Sequence, residues 1–297
     1  MRPSHVVPLT SVRSTGSDAA NPTGRGGAID TSGGCSLSAT WGEVLQAESA
    51  TTQIPSSQIR RTAKTLSADL PRLPQMRVGI LGGTGPAGSA LAARLVVSGL
   101  PVTIGSRDAE RAAERCQAVI SKWPDHDLSG LSGGSNEEAA TADVVVVATP
   151  WDSAATTASK VAESLVGKVV ISMANALAKV GDEWEPLISP RGSVAAAVAS
   201  KLPGSMVAAA FQHLPARELG NLLEPLEADV LVCSDHDEST ATTMELVARI
   251  PGLRGIDAGP LSNAASMESF VAILREVNVR YKTHASLRLT GIDTTTT

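Results

Sequence analysis

Residues 76–107 read MRVGILGGTGPAGSALAARLVVSGLPVTIGSR, and this stretch decides the fold. Residues 76–81 are a short apolar, β-branched run, the pattern of a strand buried on both faces of a parallel sheet. Gly83, Gly85 and Gly88 follow as G-x-G-x-x-G, with Gly82 in front. In that spacing one glycine permits a sharp turn, one lets backbone amides approach a pyrophosphate where a Cβ would intrude, and one seats the next helix close to the strand. Pro86 suits a first helical turn, residues 87–97 favour helix, and Gly99 is placed to end it. The free N–H groups at the start of that helix, together with its dipole, make an anion site in front of the turn. The glycine pattern alone is weak evidence; its place between a strand and a capped helix predicts a dinucleotide.

A second strand at 102–104 runs into Gly105-Ser106-Arg107. Sites for the unphosphorylated cofactor usually carry Asp or Glu here, bonded to the ribose hydroxyls. Ser106 and Arg107 stand there instead, and Arg111 follows one turn into the next helix. A hydroxyl and two guanidiniums suit the 2′-phosphate of NADP(H). The alternative is that Arg107 and Arg111 are solvated charges on an exposed helix start. Asp108 reads as the N-cap of a helix through Ser121.

The alternation then continues. A polar loop through Gly134 precedes a small helix at 136–142, and DVVVVAT at 143–149 is the clearest buried strand, ending at Pro150-Trp151. A helix at 152–166 and a strand at 168–172 follow. This order predicts an α/β, Rossmann-like, doubly wound parallel sheet with right-handed crossovers. Ligands on such sheets bind beyond the carboxyl ends of the strands, where the first glycine turn, Thr149-Pro150-Trp151 and Ala174-Asn175 converge. From residue 192 the theme repeats on a smaller scale. A helix at 193–201 leads to a strand at 206–211, which delivers Gln212-His213-Leu214-Pro215-Ala216 to its carboxyl end. A strand at 229–233, a helix at 238–249 and a short strand closing at 256–259 come next. Met267, Phe270, Val271, Leu274, Val277 and Tyr281 mark one face of a final long helix, as core or as a dimer seam. The expected organisation is an N-terminal extension at 1–75, a dinucleotide-binding domain at 76–190, a smaller C-terminal α/β part at 191–292 and a loose tail at 293–297.

The extension is rich in Ser, Thr, Gly and Pro without a sustained apolar period, so it cannot bury enough surface to offset its own ordering. A short helix at 41–48 is its one candidate element. Two readings stay open: a regulatory or interaction tail, or a segment absent because translation starts at Met76. The chain carries 25 Lys and Arg against 30 Asp and Glu, which argues against nucleic acid as the main partner. No signal peptide and no transmembrane-length run is evident, and Cys35, Cys116 and Cys233 suggest neither a disulfide framework nor a zinc site. A cytoplasmic protein is expected.

Several mechanisms are disfavoured. The one tyrosine, Tyr281, is followed four residues later by Ala285, so the Tyr-x-x-x-Lys pair of short-chain reductases is missing. None of the five histidines has a partner at metal spacing, so no metal is expected. Ser153, Ser172 and Ser234 lack a nucleophile elbow. His213 is the one histidine at a strand end beside the crevice, either as a donor to a second ligand or as an orienting side chain. What remains is hydride transfer to a second ligand that carries its own reactivity, where holding two rings together is worth ~7–11 kcal/mol of barrier.

RVGILGGTG, IGSR, ATPW, Asn175-Ala176-Leu177, QHLPAREL, DVLVCSDH and GLRGIDAGPLSNA together resemble the NADPH-dependent coenzyme F420 reductases, also called reduced-coenzyme-F420:NADP oxidoreductases, over residues 76–292. The last three motifs are far more specific than a glycine turn. The resemblance implies direct hydride exchange between the nicotinamide C4 and the deazaflavin C5, with NADP(H) and coenzyme F420 as small-molecule redox carriers. It places Gly83, Thr84, Gly85, Pro86, Ala87 and Gly88 on the pyrophosphate and Ser106, Arg107 and Arg111 on the 2′-phosphate. Thr149 with its neighbour Pro150, Ser153, Asn175, Ala216 and Leu261 would line the nicotinamide half. Gln212 departs from the pattern, since many relatives carry His there, so no acid role transfers to it. Family members are usually homodimers. The deazaflavin tail carries phosphate and glutamates, which Arg191, Lys201, Arg217 or Arg275 would meet. Two other readings compete: a non-catalytic, NmrA-like NADP-binding redox sensor, suggested by GGTGPAG, and a reductase of a small imine or carbonyl, which the lack of an evident proton donor disfavours.

Overall fold

The computed structural model describes residues 76–292. The expectations for 1–75 and 293–297 lie outside the described residues. From β1 (Val78–Leu81) the chain passes through α1 (Pro86–Val97), β2 (Val102–Ser106), α2 (Ala109–Lys122), β3 (Leu131–Ser135) and α3 (Asn136–Ala139). Then come β4 (Val144–Val147), α4 (Trp151–Lys160), α5 (Ala162–Leu165), β5 (Val169–Ser172) and a hairpin of β6 (Leu177–Val180) and β7 (Glu183–Pro186). The remainder is α6 (Val194–Ala199), β8 (Met206–Ala209), α7 (Ala216–Leu219), β9 (Ala228–Ser234), α8 (Asp237–Ala248), β10 (Leu253–Asp257) and α9 (Ala264–Tyr281).

Eight strands form one sheet in the order β10-β9-β8-β5-β4-β1-β2-β3. From β3 to β8 every pairing is parallel. The direction of winding reverses between β1 and β4, which opens a crevice beyond their carboxyl ends. The valines of β4 show how the sheet is held: Val144 and Val146 pack with Ile80, Leu91, Leu95 and Ile104 on one face, and Val145 and Val147 with Leu81, Val170 and Leu165 on the other. Alternate residues therefore feed two cores, which is why the run reads as uninterrupted apolar sequence.

Three features depart from the sequence reading. β3 occupies part of the expected polar loop, because LSGGS is a strand built of small residues. A Cβ on Gly133 would come within 2.6 Å of the Ala112 carbonyl oxygen, so α2 packs directly on that strand's backbone. The expected helix at 152–166 is broken at Val161, whose φ of −116° and ψ of 18° separate α4 from α5. The last two strands, β9 and β10, join the same sheet but run against β8. Their carboxyl ends therefore face away from the crevice, and α9 crosses back toward it over 18 residues.

The start of α6 is tied to α9 by a buried acid. Glu268 is 5% exposed, and its two carboxyl oxygens accept the Val194 and Ala195 N–H groups at 2.8 and 3.1 Å. Burial pushes its pKa up to about 7, against the pull of those two N–H groups. Because the folded state holds this proton more tightly than the unfolded chain does, stability is highest below pH ~4.5 for this group and declines as pH rises toward about 7. The expected loss is about 3 kcal/mol. Urea denaturation at a series of pH values should show this slope, and Glu268→Gln should flatten it; an unaltered slope would remove Glu268 as its source.

Candidate active site

The glycine turn is organised differently from the motif's usual division of labour. The residue with left-handed backbone is Gly82, at φ 64°, one position before G-x-G-x-x-G. Its N–H donates to Asn136 Oδ1 at 3.0 Å, and a Cβ there would collide with the Thr149 methyl. Gly88 is a close-approach position, where a Cβ would lie 2.7 Å from Gly83 Cα. Gly85 is different. Its φ of −71° suits any residue and a Cβ would meet nothing within 4 Å. No demand from inside the protein calls for glycine there, so the open volume before the α1 N-terminus is room for something from outside. No side chain caps α1, so its first-turn N–H groups face that room, and Pro86 removes one of them.

At the end of β2, Ser106 is 7% exposed, and its Oγ accepts the Asp108 N–H at 3.2 Å. Asp108 caps α2 by accepting from the Glu110 and Arg111 N–H groups at 3.0 and 3.2 Å, so its carboxylate is turned to the backbone as expected. Arg107 and Arg111 are exposed, and among the described residues neither has a carboxylate within 4 Å.

Beyond β5 and β8 lies a cleft of about 440 Å3. Ala87 from α1, Met173 and Asn175 after β5, the 211–217 segment, one side of α9 and residues 283–285 line it. Of eight buried side-chain polar atoms without a partner among the described residues, four gather here: Asn175 Oδ1, both amide atoms of Gln212 and His213 Nδ1; a fifth, Thr149 Oγ1, belongs to a side chain packed against Gly82. An unpaired buried polar atom costs ~1–3 kcal/mol, so such a cluster marks a place where a ligand's groups complete the bonding. Asn175 Nδ2 donates to the Gln212 carbonyl oxygen at 2.7 Å, which joins the two segments that form the floor.

His213 is 3% exposed, and its Nε2 lies 2.8 Å from the Asp229 carbonyl oxygen, so Nε2–H is the donor and Nδ1 is bare. Burial holds its pKa below the ordinary histidine range. The ring is neutral and orients the floor; it has no spare proton to give. Ala87, Asn175 and Ala216 line the cleft together. Pro150 is exposed and precedes α4, and Ser153 Oγ donates to its carbonyl oxygen at 3.1 Å. Leu261 is not among the residues that line the cleft: it follows β10 in a short turn that packs on β8, β9 and α6, 7% exposed, in one core with Ala174, Ala176 and Met267, and its N–H donates to Asp235 Oδ1. Sequence reading did not single out Asn136, although Ser135 and Glu138 spell a capping box that fixes its place. Nor did it find Thr283, His284 and Ala285, which reach the cleft only through the turn after α9. Among the described residues no cluster of metal-ligating side chains occurs, and burial raises the thiols of Cys116 and Cys233 to about 11, so both are inert.

Residues 77–176 match the family model described as NADP oxidoreductase coenzyme F420-dependent. The F420-dependent NADP reductase of Methanothermobacter marburgensis is 34% identical over 229 residues, covering 73% of this chain and 99% of that protein. The chain belongs to this family. The enzyme of the same name from Methanocaldococcus jannaschii is 33% identical over 225 residues, covering 73% of this chain and the whole of that protein. A crystal structure from Arthrobacter sp. FB24, described as a candidate F420-dependent NADP reductase, shares the fold with a TM-score of 0.60 at 22% identity, covering 72% of this chain and 99% of that one. The family model's span holds the glycine turn, Ser106, Arg107, Thr149 and Asn175.

Gly85 separates binding from folding. Gly85→Ala should leave thermal stability within ~0.5 kcal/mol of the parent. The same variant should weaken NADPH binding about tenfold or more in a fluorescence titration, by displacing one charge-assisted contact. Gly82→Ala should instead lower the melting temperature. If Gly85→Ala binds NADPH normally, the open volume is not the pyrophosphate seat.

Proposed function

We propose that this protein passes a hydride directly between NADP(H) and the deazaflavin coenzyme F420, making reduced coenzyme F420 or NADPH. The observation that carries this reading is the space before α1 at Gly85 opening beside a cleft whose floor holds unpaired amide groups, in a chain alignable along nearly the full length of F420-dependent NADP reductases. Those relatives are named as enzymes, which sets the sensor reading aside. Bound together, the two carriers would supply the redox chemistry, NADPH giving a hydride and the deazaflavin taking it together with a proton from solvent. The chain's own work is to orient the rings and keep water out.

The α1 N-terminus with Gly83, Thr84, Gly85, Pro86, Ala87 and Gly88 holds the pyrophosphate. Arg107 and Arg111, which lack carboxylate partners among the described residues, take the 2′-phosphate beside Ser106. Thr149, Pro150, Ser153, Asn175 and Ala216 lie toward the nicotinamide, with Gln212 free to pair with a ligand's amide or imide edge. Residues 76–190 thus form the NADP-binding domain, and 191–292 supply most of the deazaflavin wall. No general acid is needed for the hydride itself, in keeping with neutral His213.

A homodimer is part of the proposal. Trp184, Pro186, Phe270, Ile273 and Val277 line an apolar groove of about 690 Å3 on α9, flanked by exposed Val279 and Tyr281. Of the apolar stripe read from sequence, Met267, Val271 and Leu274 are core, Phe270 and Val277 are half-buried, Phe270 against the core, and Tyr281 is exposed. A second α9 would cover them. No described helix is long and apolar enough to cross a membrane, and a cytoplasmic setting suits two diffusible carriers.

The deciding assay is loss of deazaflavin visible absorbance on adding NADPH with catalytic amounts of protein; no bleaching would overturn the proposal. Arg107→Ala should cost ~1.5–3 kcal/mol of charged hydrogen bonding, or roughly ten- to a hundredfold in preference for NADPH over NADH. An unchanged preference would take Arg107 off the phosphate. Sedimentation should find a dimer that Ile273→Asp splits, and a monomeric parent at micromolar concentration would refute the seam.

A further inference from the structure

We infer that Arg94 is a positioning residue for the hydride transfer: its guanidinium locks the helix that seats the dinucleotide to the helix that walls the cleft, and so sets the gap between the two rings. The inference rests on the proposed reading of those two places as the seats of NADP(H) and the deazaflavin.

Arg94 lies in the last turn of α1 and, at 6% exposure, is the only Lys or Arg buried among the described residues. Burial disfavours its charged form, Glu218 offsets that only in part, and no carboxylate lies within 4 Å among the described residues. Carbonyl oxygens hold the charge instead. Nε–H donates to Leu219 O at 2.9 Å, and Nη2 donates to Glu218 O at 3.0 Å and to Asn221 O. These oxygens belong to the end of α7 and the residues just after it. A helix of four residues leaves its last carbonyls without intrahelical partners and has too few turns to hold its own axis. Leu219, fully buried, shares a core with Leu91 and Leu95 of α1. Apolar contact of that kind is non-directional and would let one helix slide along the other. A planar guanidinium bonded to three carbonyls fixes the register.

The two helices lie side by side in the same sense. Ala87 at the start of α1 and Ala216 at the start of α7 both line the cleft. Arg94, about two turns further along the same face as Ala87, meets the far end of α7. Ala90 lies between these points and faces Gly220. A Cβ on Gly220 would come within 3.2 Å of the Ala90 Cβ and 3.3 Å of the Ala216 carbonyl oxygen. The φ of Gly220, −89°, is open to any residue, so close approach is what asks for glycine there.

This joint connects two sites without belonging to either. The α1 N-terminus faces the pyrophosphate and α7 carries the wall at 216–217, so a shift of one helix against the other moves the carriers apart while every group that touches them stays in place. The reaction is unaltered: NADPH becomes NADP+, and the deazaflavin takes the hydride together with a proton from solvent. Its rate is steep in distance, since reacting atoms must come within ~3–3.5 Å and ~1 Å of misplacement costs roughly a hundredfold.

The test separates rate from affinity. Single-turnover mixing of the full chain, with NADPH and coenzyme F420 both saturating, gives a rate constant and an amplitude from the loss of deazaflavin absorbance. Fluorescence titrations give the Kd of each carrier alone. Arg94→Met keeps an apolar stem and removes the fork; its rate constant should fall about tenfold or more, with both Kd values within about twofold of the parent. The isotope effect with NADPH deuterated at C4 should be at least as large as in the parent, because the hydride step itself is slowed. Arg94→Lys, which restores a charge and a donor, should recover part of the rate. Gly220→Ala keeps every hydrogen bond of Arg94 and wedges the joint by a few tenths of an ångström, so transfer should slow about threefold. A role confined to folding would lower the melting temperature and the amplitude and leave the rate constant alone. That result in Arg94→Met overturns the inference, as does a loss that lies in either Kd rather than in the rate constant. Should Arg94→Met fail to fold, an unslowed Gly220→Ala overturns it instead. A parent that passes no hydride between the two carriers sinks the proposed function, a result distinct from all of these.

Discussion

The hydrogen bond from the Gly82 N–H to the Asn136 side chain is the constraint on which the site depends. A left-handed residue at the end of β1 sends the chain sharply aside, and the turn holds because its amide is taken by a side chain from a different element. Asn136 is in turn fixed by the Ser135–Glu138 capping box. From that joint follow the close seating of Gly88 on Gly83, the direction of α1 and the open volume at Gly85. The open volume is thus bounded by packing on its protein side.

A similar logic runs through the cleft. Polar groups are deep at the floor and cations shallow at the rim, with an apolar wall from α9 between them. Burying the amide of Gln212 unpaired carries a free-energy penalty in the unliganded protein. That expense makes sense where a ligand's own donors and acceptors complete the set. Asp229 makes the complementary choice: burial alone would raise its carboxyl, but Arg254, the Leu289 N–H and Arg288 outweigh that and hold it below the usual carboxylate range. It stays charged and anchors the segment behind the rim.

Much of this was legible in the sequence, and the exceptions have physical causes. Strands buried on both faces announce themselves as apolar runs, so β1, β4 and β5 were plain. Asp108 was readable as a cap because short-range chemistry decides it. β3 was hidden because its small residues serve α2's close approach rather than burial of large side chains. The orientation of β9 was not readable, since an apolar run carries no arrow. Arg217 was visible as a cation, but its partner His284 lies 67 residues away and meets it only through the turn after α9.

The clamp on Asp229 also sets a timetable. A ribosome delivers β1 to β5, with the whole glycine turn, well before the residues around Leu287 and Leu289 that the clamp needs emerge. Before that segment emerges, Thr283, His284 and Ala285 cannot line the cleft, so the glycine turn leaves the ribosome well ahead of the wall that faces α9.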